Sequence, residues 1–273
     1  MPGDANVATD LHVTVQGEGR PVLLIHGFGA NSFTWSKIAP GLAAENTVIT
    51  VDAKGSGRSP KPADDFYGLH DQAAAILAII EARDLRELTI VGHSMGGGIS
   101  LLLGLELHRN HPGRLRQLAL IDCIAYRQLL PDFILALRAP VLRTLLTEGL
   151  PPEWLVRYVL SRAYRNPGKI ENAFVEAYAA PLRDPAARRA LLATARAIIP
   201  ADIDLLAARY PEIRVPTLIL WGDADRIVPL SICQHLVEAI RGARLVVIEK
   251  CGHIPQEEQP DKTLTLLQGF LRE

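Results

Sequence analysis

Serine, histidine and aspartate side chains occur in this chain at positions suited to acyl chemistry. Gly92-His93-Ser94-Met95-Gly96 is a Gly-x-Ser-x-Gly pentapeptide set between the apolar, β-rich Leu88-Thr89-Ile90-Val91 and the helix-compatible Gly97–Leu103. On a sharp strand-to-helix turn the serine hydroxyl stands clear of the backbone, and the following helix points its free N–H groups and positive end at it. A serine hydroxyl is a poor nucleophile until a base removes its proton, and the imidazole of His253, in Gly252-His253-Ile254-Pro255, suits that task. A carboxylate must then orient the ring and stabilise the imidazolium. Asp225, Asp223 and Asp122 each stand where a strand is expected to end, and the order serine, acid, histidine holds for all three. Asp223 suits a loop-holding role, its carboxylate accepting from nearby backbone N–H groups.

An oxyanion needs two backbone donors. His26-Gly27-Phe28-Gly29 follows the strand-like Val22–Ile25, and its glycines allow a tight turn that aims the Phe28 N–H where the Met95 N–H also points. Asp52-Ala53-Lys54-Gly55-Ser56-Gly57-Arg58-Ser59 is a glycine turn without the spacing of a phosphate loop. In it Asp52 and Arg58 are expected to fix a loop. His26 and His93 are expected to be structural, satisfying backbone groups around the site. Trp35 and Phe33 are expected in the core.

Seven runs can position these residues as strands: Leu11–Gln16, Val22–His26, Val48–Asp52, Leu88–Val91, Leu118–Asp122, Thr217–Trp221 and Leu245–Glu249. Most are short, continuous and rich in Val, Ile and Leu, as strands buried on both faces of a parallel sheet must be. Helical segments separate them, at Phe33–Ala44, Gly68–Arg83, Met95–His108, Pro229–Ile240 and Pro260–Leu271. Alternation of this kind predicts an α/β fold, a mostly parallel sheet flanked by helices. The alternation lapses once: residues 123–214 hold only Leu-, Ala- and Arg-rich helical stretches interrupted by prolines. That block reads as a helical cap inserted into a core of residues 1–122 and 215–273, over the strand ends where ligands bind. Within it Phe133–Leu150 reads as an amphipathic helix pair with Arg138 and Arg143 on the wet face.

Composition excludes several classes. With 29 basic and 30 acidic residues there is no basic stripe for nucleic acid. No apolar run is long enough to span a bilayer, so no stable membrane insertion is expected. Met1–Asn6 has neither a basic nor an apolar targeting region, and a cytoplasmic protein is expected. Cys123, Cys233 and Cys251 are odd in number and widely spaced, which suits buried free thiols better than disulfides or a metal site. A homodimer is left open.

Five ordered motifs now stand together: His-Gly at His26, the Asp-x-x-Gly-x-Gly-x-Ser segment from Asp52, the serine elbow at Ser94, Gly-Asp-x-Asp from Gly222 and Gly-His at Gly252. From about Leu11 onward the chain resembles the α/β-hydrolase superfamily in its capped serine-hydrolase form. The resemblance implies Ser94 as nucleophile, His253 as base and Asp225, the second aspartate of Gly-Asp-x-Asp, as acid. Asp122 occupies a position that some relatives use for the acid. Phe28 and Met95 supply the oxyanion N–H groups, and no cofactor or metal is implied.

Dehalogenases and epoxide hydrolases of the superfamily use an aspartate nucleophile, whereas this elbow carries Ser94. Serine-dependent carbon–carbon hydrolases acting on vinylogous diketones often have tryptophan after the base, where this chain has Ile254. Cofactor-free haloperoxidase-like esterases are a third comparison. The expected activity is hydrolysis of a small, largely apolar carboxylic ester. The alternatives are carbon–carbon hydrolysis of a meta-cleavage-product type substrate, and a non-enzymatic ligand receptor on the same fold.

Overall fold

A computed structural model of the chain describes residues 10–139 and 149–273. All seven β-rich runs form strands: β1 (Val13–Gln16), β2 (Arg20–Ile25), β3 (Asn46–Val51), β4 (Leu88–His93), β5 (Leu115–Ile121), β6 (Thr217–Gly222) and β7 (Arg244–Ile248). They form one sheet in the order β1-β3-β2-β4-β5-β6-β7. β1 runs antiparallel to β3, and every other neighbouring pair is parallel. The chain is an α/β-hydrolase fold with a mostly parallel sheet flanked by helices.

The period-two geometry of a strand sends successive side chains to opposite faces, and here both faces are buried. On β2, Leu23 and Ile25 enter one core while Val22 and Leu24 enter the other. Helices α2 (Leu69–Ala82), α3 (Met95–Asn110) and α9 (Leu230–Ala239) cover the first face through residues such as Ile76, Ile99 and Leu236. Helices α1 (Ala39–Leu42) and α10 (Pro260–Leu271) cover the second through Leu42, Leu267 and Phe270. Each fully buried Leu or Ile contributes on the order of 2 kcal/mol, so the two cores together hold β4 rigidly in the middle of the sheet.

The helix expected over Phe33–Ala44 does not form as one element. A 3-10 turn at Ser32–Trp35 is followed by the four-residue α1. Pro40 has no N–H to return to the carbonyl four residues back, so it is tolerated only in the first turn of a helix, where it sits here.

Between β5 and β6 the described residues form no strand. They fold into α4 (Asp132–Arg138), α5 (Pro152–Ala163), α6 (Asn172–Ala179), α7 (Pro185–Ala197), α8 (Ile203–Ala207) and short 3-10 turns. Val156, Leu160, Phe174, Val175 and Tyr178 of this segment make a small core of their own, joined by Ile254 from the loop after β7. Arg138 is exposed on α4, as its wet-face placement requires, and Arg143 lies outside the described residues. No described helix is long and apolar enough to cross a membrane.

Candidate active site

Ser94 is the single residue between β4 and α3, and its backbone is left-handed, with φ 53° and ψ −116°. That region is costly for a side chain with a Cβ and persists only where the surroundings enforce it. Here the Ser94 N–H donates to the Ile121 carbonyl at 2.9 Å. The Ser94 carbonyl accepts from the N–H groups of Gly97, Gly98 and Ile124 at 3.0, 3.2 and 3.1 Å. Glycine is required at position 96, because a Cβ there would lie 2.2 Å from the Ile25 carbonyl oxygen. That close approach lets α3 begin directly beneath the serine.

His253 lies in the loop after β7 and Asp225 in the loop after β6, so all three groups collect at the carboxyl ends of parallel strands. The His253 Nδ1–H donates to Asp225 Oδ2 at 2.8 Å, which leaves Nε2 as acceptor for the Ser94 hydroxyl at 2.9 Å. Asp225 is held in turn by the N–H groups of Ile227 and Val228, which donate to its Oδ1 at 2.7 and 3.1 Å. The His253 side chain is 6% exposed and the Asp225 carboxylate is fully buried, although the Asp225 backbone meets solvent. The structure thus brings Ser94, His253 and Asp225 into one hydrogen-bonded chain.

The other two aspartates make no hydrogen bond to His253 among the described residues. Asp223 accepts from the Cys251 N–H at 3.1 Å. Against the burial that raises it, the backbone N–H groups of Lys250 and Cys251 hold its carboxyl below the usual carboxylate range. Asp122, fully buried after β5, accepts from the Gly222 N–H at 2.9 Å. Burial and the neighbouring charge of Asp225 push its pKa well above the ordinary value.

The turn after β2 abuts the serine closely: a Cβ on Gly27 would lie 3.0 Å from both Ser94 Cβ and His93 Nδ1. His26 shapes this turn. Its Nδ1–H donates to the Gly27 carbonyl at 2.8 Å while Nε2 accepts from the Ala53 N–H at 2.9 Å, stitching the ends of β2 and β3 together. That pattern fixes the neutral ring, in line with the burial that lowers its pKa. Among the described residues neither the Phe28 N–H nor the Met95 N–H donates to a protein acceptor. Asp52 holds its loop by accepting from the N–H groups of Ser32 and Arg58 at 2.7 and 2.9 Å. Trp35 is fully buried, whereas Phe33 is 39% exposed and stacks edge-on against Phe174 instead of entering the core.

A cavity opens over Ser94 and His253. α4 and α5 roof it with Phe133, Ile134, Leu137, Leu155, Val156 and Leu160, and Phe28, Ile227 and Ile254 complete its walls. No lysine or arginine lines it among the described residues, and its one carboxylate is Glu257. Glu257 is 2% exposed and accepts from the hydroxyls of Thr34 at 2.6 Å, Tyr164 at 2.7 Å and Tyr178. Burial raises its pKa and pushes both tyrosines upward as well.

Two features of the site escaped the sequence reading. Glu258 accepts from the N–H groups of Gly252, Arg165 and Asn166 at 2.7, 3.1 and 2.8 Å, while the Ala163 carbonyl accepts from the His253 N–H at 2.7 Å. The turn after α5 is thereby fastened to the loop carrying the histidine. The available signal was a pair of acidic residues between Pro255 and Pro260, close behind His253.

Comparison with known proteins places this geometry among relatives. The sequence profile described as the alpha/beta hydrolase family matches residues 22–266. The 2-hydroxymuconate semialdehyde hydrolase of Pseudomonas putida is 30% identical, over 98% of this chain and 92% of that protein. Two solved structures superpose with a TM-score of 0.82 at 24% identity. The 2-hydroxy-6-oxo-6-phenylhexa-2,4-dienoate hydrolase of Rhodococcus sp. strain RHA1 shares 96% of this chain and 95% of its own. An esterase from Exiguobacterium antarcticum shares 96% of each.

Proposed function

The chain belongs to the alpha/beta hydrolase family and is a hydrolase of it, and from that premise we propose that it cleaves a small, largely apolar carboxylic ester through a covalent acyl-serine. The observation that carries this reading is the unbroken chain from Ser94 Oγ through His253 to Asp225, at 2.9 and 2.8 Å, beneath an apolar cavity. Ser94 Oγ attacks the ester carbonyl carbon while His253 Nε2 takes its proton. Asp225 holds the ring and stabilises the imidazolium. The N–H groups of Phe28 and Met95 receive the oxyanion, each contributing about 3 kcal/mol to lowering the barrier. His253 then protonates the departing alcohol, and water attacks the acyl-serine by the same steps in reverse. The helices between β5 and β6 act as the cap that excludes bulk water from this sequence.

Carbon–carbon hydrolysis is the second reading, favoured by the names of relatives that act on a muconate semialdehyde or a dienoate. Such substrates carry a carboxylate, and an ionised carboxylate buried without a cation is strongly disfavoured. A wall that holds no lysine or arginine among the described residues, and Glu257 as its one carboxyl group, supports the neutral ester instead.

The test is labelling with a fluorophosphonate, with mass spectrometry to locate the adduct, followed by comparison of p-nitrophenyl esters with a vinylogous diketone. An adduct on Ser94, absent in Ser94→Ala, together with steady ester turnover, is expected. Labelling with a strong preference for the diketone would replace the ester reading by the carbon–carbon one. A folded protein that takes no label would overturn both and point to a ligand receptor.

A further inference from the structure

One buried ionisable group is left unused by this chemistry. Asp122 follows directly on β5, the strand beside β6, is fully buried, and has a left-handed backbone with φ 43°. Its Oδ1 accepts from the Gly222 N–H at 2.9 Å, and its Oδ2 has no donor among the described residues. Yet a carboxylate oxygen of Asp122, one of Asp225 and a ring nitrogen of His253 all lie within 4.8 Å of one another. Two buried carboxylates that close, one with a bare oxygen, are two acceptors facing each other. The contact becomes favourable only with a proton between them.

The remaining neighbours supply no countercharge. The other ionisable groups facing Asp122 are the thiols of Cys123, Cys233 and Cys251, each pushed upward by burial and by Asp122 itself, Cys233 to about 11. Neither lysine nor arginine is among the groups that act on it.

We propose that Asp122 is a positioning residue of the triad: a neutral carboxylic acid whose O–H donates to the Asp225 carboxylate, so that the pair carries one negative charge on the member facing His253. The proposal rests on the Ser94–His253–Asp225 reading. It gives Asp225 a fourth donor, after Ile227, Val228 and His253, and fixes the plane of its carboxylate from the side opposite the imidazole. It also accounts for the surroundings of Asp122, where a second charge would meet one backbone donor, the Gly222 N–H, beside three thiols, the Asp225 carboxylate and the His253 ring.

The experiment uses Asp122→Asn and Asp122→Ala in the full chain, with p-nitrophenyl butyrate kinetics across pH and infrared difference spectra. Asparagine preserves both bonds of the neutral acid: its carbonyl accepts from Gly222 and its amide donates to Asp225. The asparagine variant is expected to keep kcat/KM within about threefold of wild type with the acid limb of the pH profile unmoved, because no charge is lost. The alanine variant is expected to lose about tenfold in kcat at unchanged KM, the rate equivalent of one lost hydrogen bond to a charged acceptor. Wild type minus Asp122→Asn should show a protonated-carboxyl C=O stretch at neutral pH, a readout that stands even if the alanine variant does not fold. An acid limb displaced downward by about one pH unit in Asp122→Asn would mean that Asp122 carries charge. That result, or the absence of the infrared band, overturns the proposal. Fluorophosphonate labelling of wild type and Ser94→Ala, run alongside, separates this outcome from a failure of the triad reading, since the band does not depend on turnover.

Discussion

The Nε2–H of His93 donates to the backbone carbonyl of His253 at 2.7 Å, and the two rings lie 5.0 Å apart. The residue preceding the proposed nucleophile therefore holds the main chain of the residue proposed as its base. A carbonyl only accepts, so this bond fixes the His93 tautomer and leaves Nδ1 bare against Gly27. Burial and the adjacent His253 both lower the His93 pKa well below the ordinary value, since a second imidazolium there would oppose the one that the proposed mechanism forms on His253.

Acid stability follows from this and from His26. Both rings are buried and neutral, and both have pKa values lowered from 6.5 in the fold. A base whose folded pKa is depressed takes up its proton on unfolding. Its contribution is therefore fully present above pH 6.5 and is lost as pH falls below that value. Each such group, between the unfolded value and its own lower folded value, makes the unfolding free energy fall by at most about 1.4 kcal/mol per pH unit as pH drops. Urea unfolding measured from pH 7.5 down to pH 5 should lose stability less steeply in His26→Gln than in wild type, a difference that leaves out the opposing contribution of the buried carboxyls Asp122 and Glu257, whose pKa values are raised in the fold. A variant with the wild-type slope would contradict the assignment.

Gly27→Ala tests the turn proposed to carry an oxyanion donor. The new methyl would sit 3.0 Å from Ser94 Cβ and His93 Nδ1, so the turn must retreat by a few tenths of an ångström. A small displacement of donors aimed at the transition state costs rate more than stability, and kcat should fall about a hundredfold while the melting temperature changes little. Unchanged kcat in the folded variant would remove the turn from the chemistry.

Much of this was legible in the residues. Val22–Ile25 and Leu88–Val91 announce buried parallel strands because both faces of each are apolar, and Gly96 and Ser94 announce the elbow because few other residues tolerate it. The Phe33–Ala44 stretch misled because its apolar content reads as a helix while one residue, Pro40, forbids the ladder. Asp225 could be separated from Asp122 only through resemblance, since both follow strands. What sorts them is the third dimension: which carboxylate meets His253 Nδ1 and which meets Gly222 N–H. The roles of Glu257 and Glu258 were hard to read because all their side-chain partners but Gly252 lie about 80 to 220 residues away along the chain.

Glu257 predicts a packing defect with a kinetic consequence. Its removal leaves the hydroxyls of Thr34, Tyr164 and Tyr178 without their acceptor, and these belong to the 3-10 turn Ser32–Trp35, the end of α5 and α6. Glu257→Ala should destabilise the protein by about 3 kcal/mol, and Glu257→Gln by less, because its amide oxygen still accepts. Because α5 and α6 also border the cavity, KM for a p-nitrophenyl ester should rise more than kcat falls. A calorimetric midpoint equal to wild type in Glu257→Ala would show that the three hydroxyls find other partners.

Ser94 itself should be a site of stored strain. Its φ of 53° is enforced by four backbone hydrogen bonds that are independent of its side chain. Ser94→Ala and Ser94→Gly both delete the hydroxyl and its bond to His253, so the two variants differ only in the Cβ. Alanine retains the left-handed penalty, and glycine removes it, at the cost of a more flexible unfolded chain. The strain relieved is on the order of 1–3 kcal/mol and the added unfolded-state entropy is nearer 1, so the glycine variant should be the more stable by about 1 kcal/mol. Thermal unfolding of the two variants side by side reads this difference as a higher melting temperature for Ser94→Gly. If alanine proves equal or more stable, the elbow is relaxed and the hydrogen bonds around Ser94 are holding a conformation that costs nothing.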